Sequence, residues 1–222
     1  REATQVRKEE HESFARYCGI NKKQIKILNV YDEPNFTLNC TKGFDALFVG
    51  GASDASVLAP ETYTFVPRSQ DLLKKCSDNG LPVFASCFGF QLATLALGGT
   101  IVHDSEIYEM GTIPINTTPE AKTDPLFHDI GKEFIAVSVH KEKAFKPPDS
   151  ATELAYTSIC SHSFRIKDKP FWAFQFHPEV DRKTLVGRLT FYKSKYTEND
   201  SQLDGVLNNA VETQEANGLC RK

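Results

Sequence analysis

Residues Leu81 to Leu97, LPVFASCFGFQLATLAL, change their hydrophobic period within a few positions, and that change limits what can surround them. Leu81-Pro82-Val83-Phe84-Ala85 is a short apolar run preceded by Asn79-Gly80, and it reads as a buried strand. From Phe90 the pattern is helical, with Leu92, Leu95 and Ala96 in register and Gly98-Gly99 as the stop. Between the two lie Ser86-Cys87-Phe88-Gly89. A strand that turns sharply into a helix, with a thiol at the apex and small residues (Ala85 and Gly89) two positions either side, has the pattern of a nucleophile elbow. The helix terminus behind Cys87 supplies free N–H groups and a positive dipole end, which favour a thiolate and an oxyanion. The same stretch is compatible with a buried core cysteine, the commoner fate of a free thiol.

A second stretch adds to the first. Phe171-Trp172-Ala173-Phe174-Gln175-Phe176 is a strongly aromatic strand that runs into His177-Pro178-Glu179. A histidine at a strand end can act as base to a thiol, and a nearby carboxylate can fix its tautomer. Pro178 sets its own φ and pushes His177 toward an extended conformation, so both side chains sit on a stiff hook. The tripeptide alone is weak. An elbow cysteine followed some ninety positions later by a strand-terminal His-Pro-Glu is a strong combination.

Together these residues resemble the class I, triad-type glutamine amidotransferases. The family's Gly-x-Cys-x-Gly-x-Gln motif is matched by Ala85-Ser86-Cys87-Phe88-Gly89-Phe90-Gln91, and its base motif by His177-Pro178-Glu179. Phe48-Val49-Gly50-Gly51-Ala52-Ser53-Asp54-Ala55-Ser56-Val57 is similar to the family's strand followed by Gly-Gly-x-x-Ser-Val. The resemblance runs from about Lys26 to about Lys193. It implies Cys87 as nucleophile, His177 as base and Glu179 as the group that orients it. It also implies an oxyanion hole from the main-chain N–H groups of Gly51 and Phe88, with glutamine held by the Gln91 side chain. Val137 to Glu142 occupies the place of a Ser-His-x-Asp-like segment, which by analogy makes Lys141 a substrate contact. His140 reads as a hydrogen-bonded structural residue, with a second-site histidine as the alternative.

The expected fold is a three-layer α/β/α domain with a mostly parallel central sheet and a nucleophile elbow, flavodoxin-like in the manner of these amidotransferases. Along the chain, helices are expected at Arg1–Gly19, Ser69–Ser77, Asp181–Lys195 and Ser201–Leu219, with a helical turn at Pro125–His128. Strands are expected at Gln24–Tyr31, Asp45–Val49, Thr100–His103, Ile107–Asn116, Glu133–His140, Glu153–Ser158 and Ser163–Ile166. Those after Gly99 read as antiparallel or mixed. Ligands of such sheets lie off the carboxyl ends of the strands, where both the Gly50-Gly51 loop and Cys87 fall. The 222 residues read as one domain, with residues 200–222 as a helical extension and the family's first strand absent from the sequence.

The formal charge of −3 and the lack of a Lys/Arg cluster argue against a nucleic-acid partner, and no run is long enough to span a membrane. Cys18, Cys40, Cys76, Cys87, Cys160 and Cys220 are scattered with no CxxC pair and no histidine at metal spacing, so the expectation is reduced thiols, no metal and a cytoplasmic location. The reaction expected is hydrolysis of the L-glutamine side-chain amide to glutamate and ammonia through a γ-glutamyl thioester, with no cofactor. No GxxxxGK[ST] motif is present, so any ammonia acceptor would be a synthase on another chain. Two rivals stand beside this reading: a hydrolase of other γ-glutamyl amides, and a non-catalytic regulatory subunit.

Overall fold

A computed structural model of the chain describes residues 4–191 and 200–222. Helices α1 (Thr4–Cys18), α2 (Phe65–Asp78), α3 (Phe88–Ala96), α4 (Arg182–Phe191), α5 (Asp200–Asn209) and α6 (Gln214–Gly218) surround strands β1 (Leu47–Val49), β2 (Val83–Ser86), β3 (Val102–His103), β4 (Glu109–Thr117), β5 (Glu133–His140), β6 (Glu142–Lys143), β7 (Ala151–Tyr156), β8 (Ser161–Ile166) and β9 (Phe171–Phe174). Among the described residues, seven strands form one sheet in the order β1-β2-β9-β8-β7-β4-β5, and β3 pairs with β6 in a small ribbon.

The layers follow from side-chain alternation along β2. Val83 and Ala85 face the core under α2 and α3, with Leu72, Leu73, Phe88, Leu92 and Phe164. Phe84 faces the opposite side, where its ring meets Phe174 at 4.5 Å and Phe14 of α1 at 6.3 Å. That second core continues through Phe127, Phe134, Phe176 and Leu154 to Ala216 and Leu219. A third apolar layer packs Leu185 and Leu189 of α4 and Leu203 of α5 over Val137 of β5.

The sheet is mixed. Only β1, β2 and β9 run parallel, and β9-β8-β7-β4-β5 are joined antiparallel. The expectation of a mostly parallel sheet therefore holds for the three strands that carry the glycine loop, the elbow and the His-Pro-Glu hook. The physical reason is connection length: helices separate the early strands, whereas β7, β8 and β9 follow one another through short turns that can only reverse direction. Residues Gln24–Tyr31 are not a strand. They form a 3-10 turn at Lys22–Gln24 and then run without a ladder, with Ile27 exposed while Leu28 and Val30 lie against the core. The expected long helix over Ser201–Leu219 is broken between Asn209 and Gln214, and residues 192–195 of the helix before it lie outside the described residues. Pro125–His128 is the single turn expected, closed by the helical bond from the His128 N–H to the Asp124 carbonyl at 3.0 Å. Strand β5, by contrast, coincides with its expected span. Among the described residues no helix is long and apolar enough to cross a membrane.

Close approach at the elbow depends on one glycine. A Cβ on Gly89 would lie 2.6 Å from the Val49 carbonyl oxygen and 3.1 Å from Ala85 Cβ, and the carbonyl belongs to a laddered strand that cannot step aside. Gly89→Ala is expected to lower stability by about 1–3 kcal/mol despite alanine's better helix propensity, as overpacked sites do. Thermal unfolding of the variant checks this; an unchanged midpoint would show that β1 and α3 can part without cost.

Candidate active site

The turn from β2 into α3 puts Cys87 in a conformation that L-residues avoid, φ 52° and ψ −100°. Such strain costs on the order of 1–3 kcal/mol and persists only where the surroundings impose it. Here the Cys87 N–H donates to the Phe174 carbonyl at 2.7 Å, the Gln91 N–H donates to the Cys87 carbonyl at 3.1 Å, and both flanking elements are buried. The thiol is directed to the Val139 carbonyl of β5 at 3.9 Å. Strand, helix and cross-sheet contact together fix where the sulfur points.

His177 is brought to the same place by β9 and β5. Its N–H donates to the Val137 carbonyl at 2.8 Å, forming an isolated bridge that closes the sheet beside the elbow. The ring Nδ1 lies 2.7 Å from Glu179 Oε1, which leaves Nε2 for the thiol, and the Cys87 and His177 side chains interact. Glu179 is fully buried, and among the described residues its Oε2 has no hydrogen-bond partner. Burial opposes ionisation of Glu179, but the adjacent His177 charge and hydrogen bond outweigh it and hold the carboxyl below its usual range, with Arg188 adding to the effect. Burial likewise opposes a charge on His177, but the Glu179 carboxylate and Cys87 reverse it and raise the imidazole to about 9. Two buried groups thus keep each other charged.

The hook is braced from three sides. Asn217 of α6 donates its side-chain amide to the carbonyls of Pro178, at 2.7 Å, and Val180, at 3.0 Å. Asp181 accepts from the Tyr17 hydroxyl of α1 at 2.6 Å and from the Thr184 N–H at 2.7 Å, which caps α4. Arg188 of α4 forms a two-pronged ion pair with Glu9 of α1, at 2.8 and 2.9 Å.

Cys87 and His177 line one cavity of about 40 Å³ with Ala52 and Ser53 of the glycine loop and with Leu185 and Arg188. Phe88 begins α3 directly behind the thiol, and Gly51 is buried in the loop next to Ala52. Gln91 and Lys141 are not among the lining residues. Gln91 donates its side-chain amide to the Glu142 carbonyl at 2.9 Å, tying α3 to β6, and Lys141 Nζ sits over the Tyr108 ring at 5.3 Å. Glu142 in turn holds the end of the glycine loop, accepting from the Ser56 hydroxyl and from the Val57 N–H.

Sequence reasoning missed the α4 side of the cavity. Leu185 and Leu189 read as ordinary apolar positions, and Arg188 carried no signal beyond a basic residue in a last turn. It also missed a second buried cluster. Glu109 Oε2 lies 2.9 Å from His140 Nε2 and 2.7 Å from His162 Nε2, with Cys160 Sγ at 3.7 Å. His140 is hydrogen-bonded as expected, to a partner thirty-one positions away.

A cysteine elbow at the carboxyl edge of parallel strands, facing a carboxylate-held histidine, defines a class of amide-processing α/β enzymes, and the comparisons agree. The family profile "Glutamine amidotransferase class-I" matches residues 10–193, and the chain belongs to that family. It is 34% identical over 167 residues to a Methanocaldococcus jannaschii protein named as a glutamine-hydrolysing GMP synthase subunit, covering 74% of this chain and 78% of that protein. Similarity to the Methanococcus aeolicus protein of the same name is 32% over 117 residues, 52% of this chain and 60% of the relative. The fold matches a glutamine amidotransferase from Thermotoga maritima, with TM-score 0.69 at 18% identity, over 94% of this chain and 86% of that one. A glutamine amidotransferase from Methylobacillus flagellatus matches with TM-score 0.70 at 16% identity, over 95% and 86%.

The charge pairing predicts a titration. His177 should keep its proton through neutral pH and lose it as pH rises through about 9. Glu179→Gln removes an upward influence while burial still acts downward, so the titration should move to lower pH. Nitrogen-detected NMR of the imidazole against pH measures both. A midpoint that does not move in the variant would separate Glu179 from the histidine's charge.

Proposed function

We propose that the chain hydrolyses the side-chain amide of L-glutamine, with Cys87 as nucleophile, His177 as acid and base, and Glu179 as the group that orients and charges His177. The observation that carries this reading is the strained Cys87 apex facing an imidazole whose other nitrogen is held at 2.7 Å by a fully buried carboxylate. The Cys87 thiolate attacks the amide carbon, and the oxygen takes up negative charge near the main-chain N–H groups of Phe88 and Gly51. Imidazolium His177 gives its proton to the departing nitrogen, which leaves as ammonia. A γ-glutamyl thioester remains. Water, deprotonated by His177, adds to the thioester, and glutamate leaves as the thiol is restored.

Relatives named as part of a glutamine-hydrolysing GMP synthase support a further part of the proposal: the ammonia is delivered to a separate synthase chain. Gln91 and Lys141 then act at one remove, through Glu142 and Tyr108, by shaping the glycine loop and the end of β5.

Glutamate and ammonia release from L-glutamine by the purified protein, alone and with a GMP synthase-type partner chain, tests the reading. Cys87→Ala should abolish release and His177→Ala should reduce it by about 10³-fold or more, with the fold retained by circular dichroism. Glu179→Gln should be milder than His177→Ala. Activity of the unaltered protein should fall as pH rises through about 9, where His177 loses the proton it donates to ammonia. Release that survives Cys87→Ala would sink the assignment.

A further inference from the structure

Glu109, His140, Cys160 and His162 come from four different positions in the chain and converge on one another, and none of them lines the Cys87 cavity. Glu109 and His140 are direct cross-strand partners on β4 and β5. Cys160 immediately precedes β8 and His162 is that strand's second residue, a spacing of two that lets both side chains reach the same side. Each of the four is buried, and one donor atom from each lies within 4.8 Å of every other.

As a hydrogen-bonded network the cluster is incomplete. Among the described residues, Nδ1 of His140 and Nδ1 of His162 are buried without partners. Those two nitrogens lie outside the cluster's centre; what marks the centre is that two imidazole Nε2 atoms and the Cys160 thiol all converge on one carboxylate oxygen, Glu109 Oε2. We propose that these residues bind a borderline-soft divalent first-row metal ion, zinc above all, in a closed four-ligand site.

Two imidazoles, a thiolate and a carboxylate are a donor set zinc accepts, and with zinc–nitrogen and zinc–sulfur bonds of about 2.0–2.3 Å a tetrahedral ion spaces its ligand atoms roughly 3.2–3.8 Å apart. The Cys160 sulfur is already 3.7 Å from Glu109 Oε2, and the two histidine nitrogens need only retreat from hydrogen-bond distance. One thiolate and one carboxylate cancel the ion's two charges, so the complex is neutral in a place where net charge is costly. On binding, each ligating Nε2 must be free of its proton, which passes to Nδ1 or to solvent, and the Cys160 thiol releases one proton. Outer support exists for the other ligands: the Thr157 hydroxyl donates to Glu109 Oε1 at 2.8 Å and accepts from the Cys160 N–H at 3.4 Å. A route in is present, because Cys160 and Thr157 also line an open cleft beside Phe145 and Tyr156.

With four protein ligands the ion has no open position, so its role is to staple β4, β5 and β8. Strand β5 carries the Val137 and Val139 carbonyls that meet His177 and Cys87, and the staple lies at its end. Spacing along the sequence argued against zinc because the ligands are gathered across strands, where no short motif records them.

Chelator-treated protein loaded with cobalt(II) should show the visible bands of a tetrahedral ion and a thiolate-to-metal charge-transfer band, and with zinc it should bind one equivalent. Cys160→Ser should lose the charge-transfer band, Cys87→Ala should keep it, and His162→Asn should weaken zinc by about 10–100-fold or more. Zinc should raise the melting temperature of the unaltered protein and not that of Cys160→Ser. Binding below one equivalent, a cobalt spectrum without a thiolate band, or a band that survives Cys160→Ser would each overturn the proposal. Because the cobalt spectrum of the unaltered protein is itself decisive, a variant that fails to fold does not protect the idea.

Discussion

A single hydrogen bond, from His177 to a carboxylate with no access to water, sets the terms for everything around it. An ionised Glu179 inside the fold is tolerable only while a positive partner stays beside it, and His177 is that partner. The dependence explains the investment in the hook. Pro178 stiffens it, the Val137 bridge closes it, and Asn217, Tyr17 and Thr184 each take up a polar group on or next to it. Loosening any of these would let water reach the pair and return both groups toward ordinary behaviour.

Strain at Cys87 is the other half of the arrangement. The apex sits where a parallel strand gives way to a helix, and Gly89 lets the backbones come near enough for the sulfur to emerge toward β5. The switch from parallel to antiparallel pairing at β9 is what makes this possible. Parallel strands deliver the elbow and the hook to the same edge, and the antiparallel half folds back to bring β5 across as the cavity's far wall. Family membership and fold likeness agree with this architecture.

Most of that edge was legible because its signals are local. A period change by Phe90, two residues inside the helix that starts at Phe88, a proline after His177 and glycines after Val49 act over a few residues, and β5 was bounded correctly by its own alternation. What escaped was decided by partners distant in sequence. Ile25 to Val30 has strand-like composition but gains no ladder, and its side chains are only partly covered. Glu109 reads as one more strand-end charge until the register sets it opposite His140. Leu185 and Arg188 look like any helix face, and only the docking of α4 on β5 turns them into cavity wall.

The brace from Asn217 has a bearing on biogenesis. The carbonyls it holds lie thirty-seven and thirty-nine positions earlier, so the hook is finished only after α6 has been made and has docked. Contacts of that separation form late. A chain cut short before α6 would carry the elbow and the hook but leave the Pro178 and Val180 carbonyls without this amide. The last brace behind the histidine is thus supplied by a helix synthesised well after both of the groups that it serves.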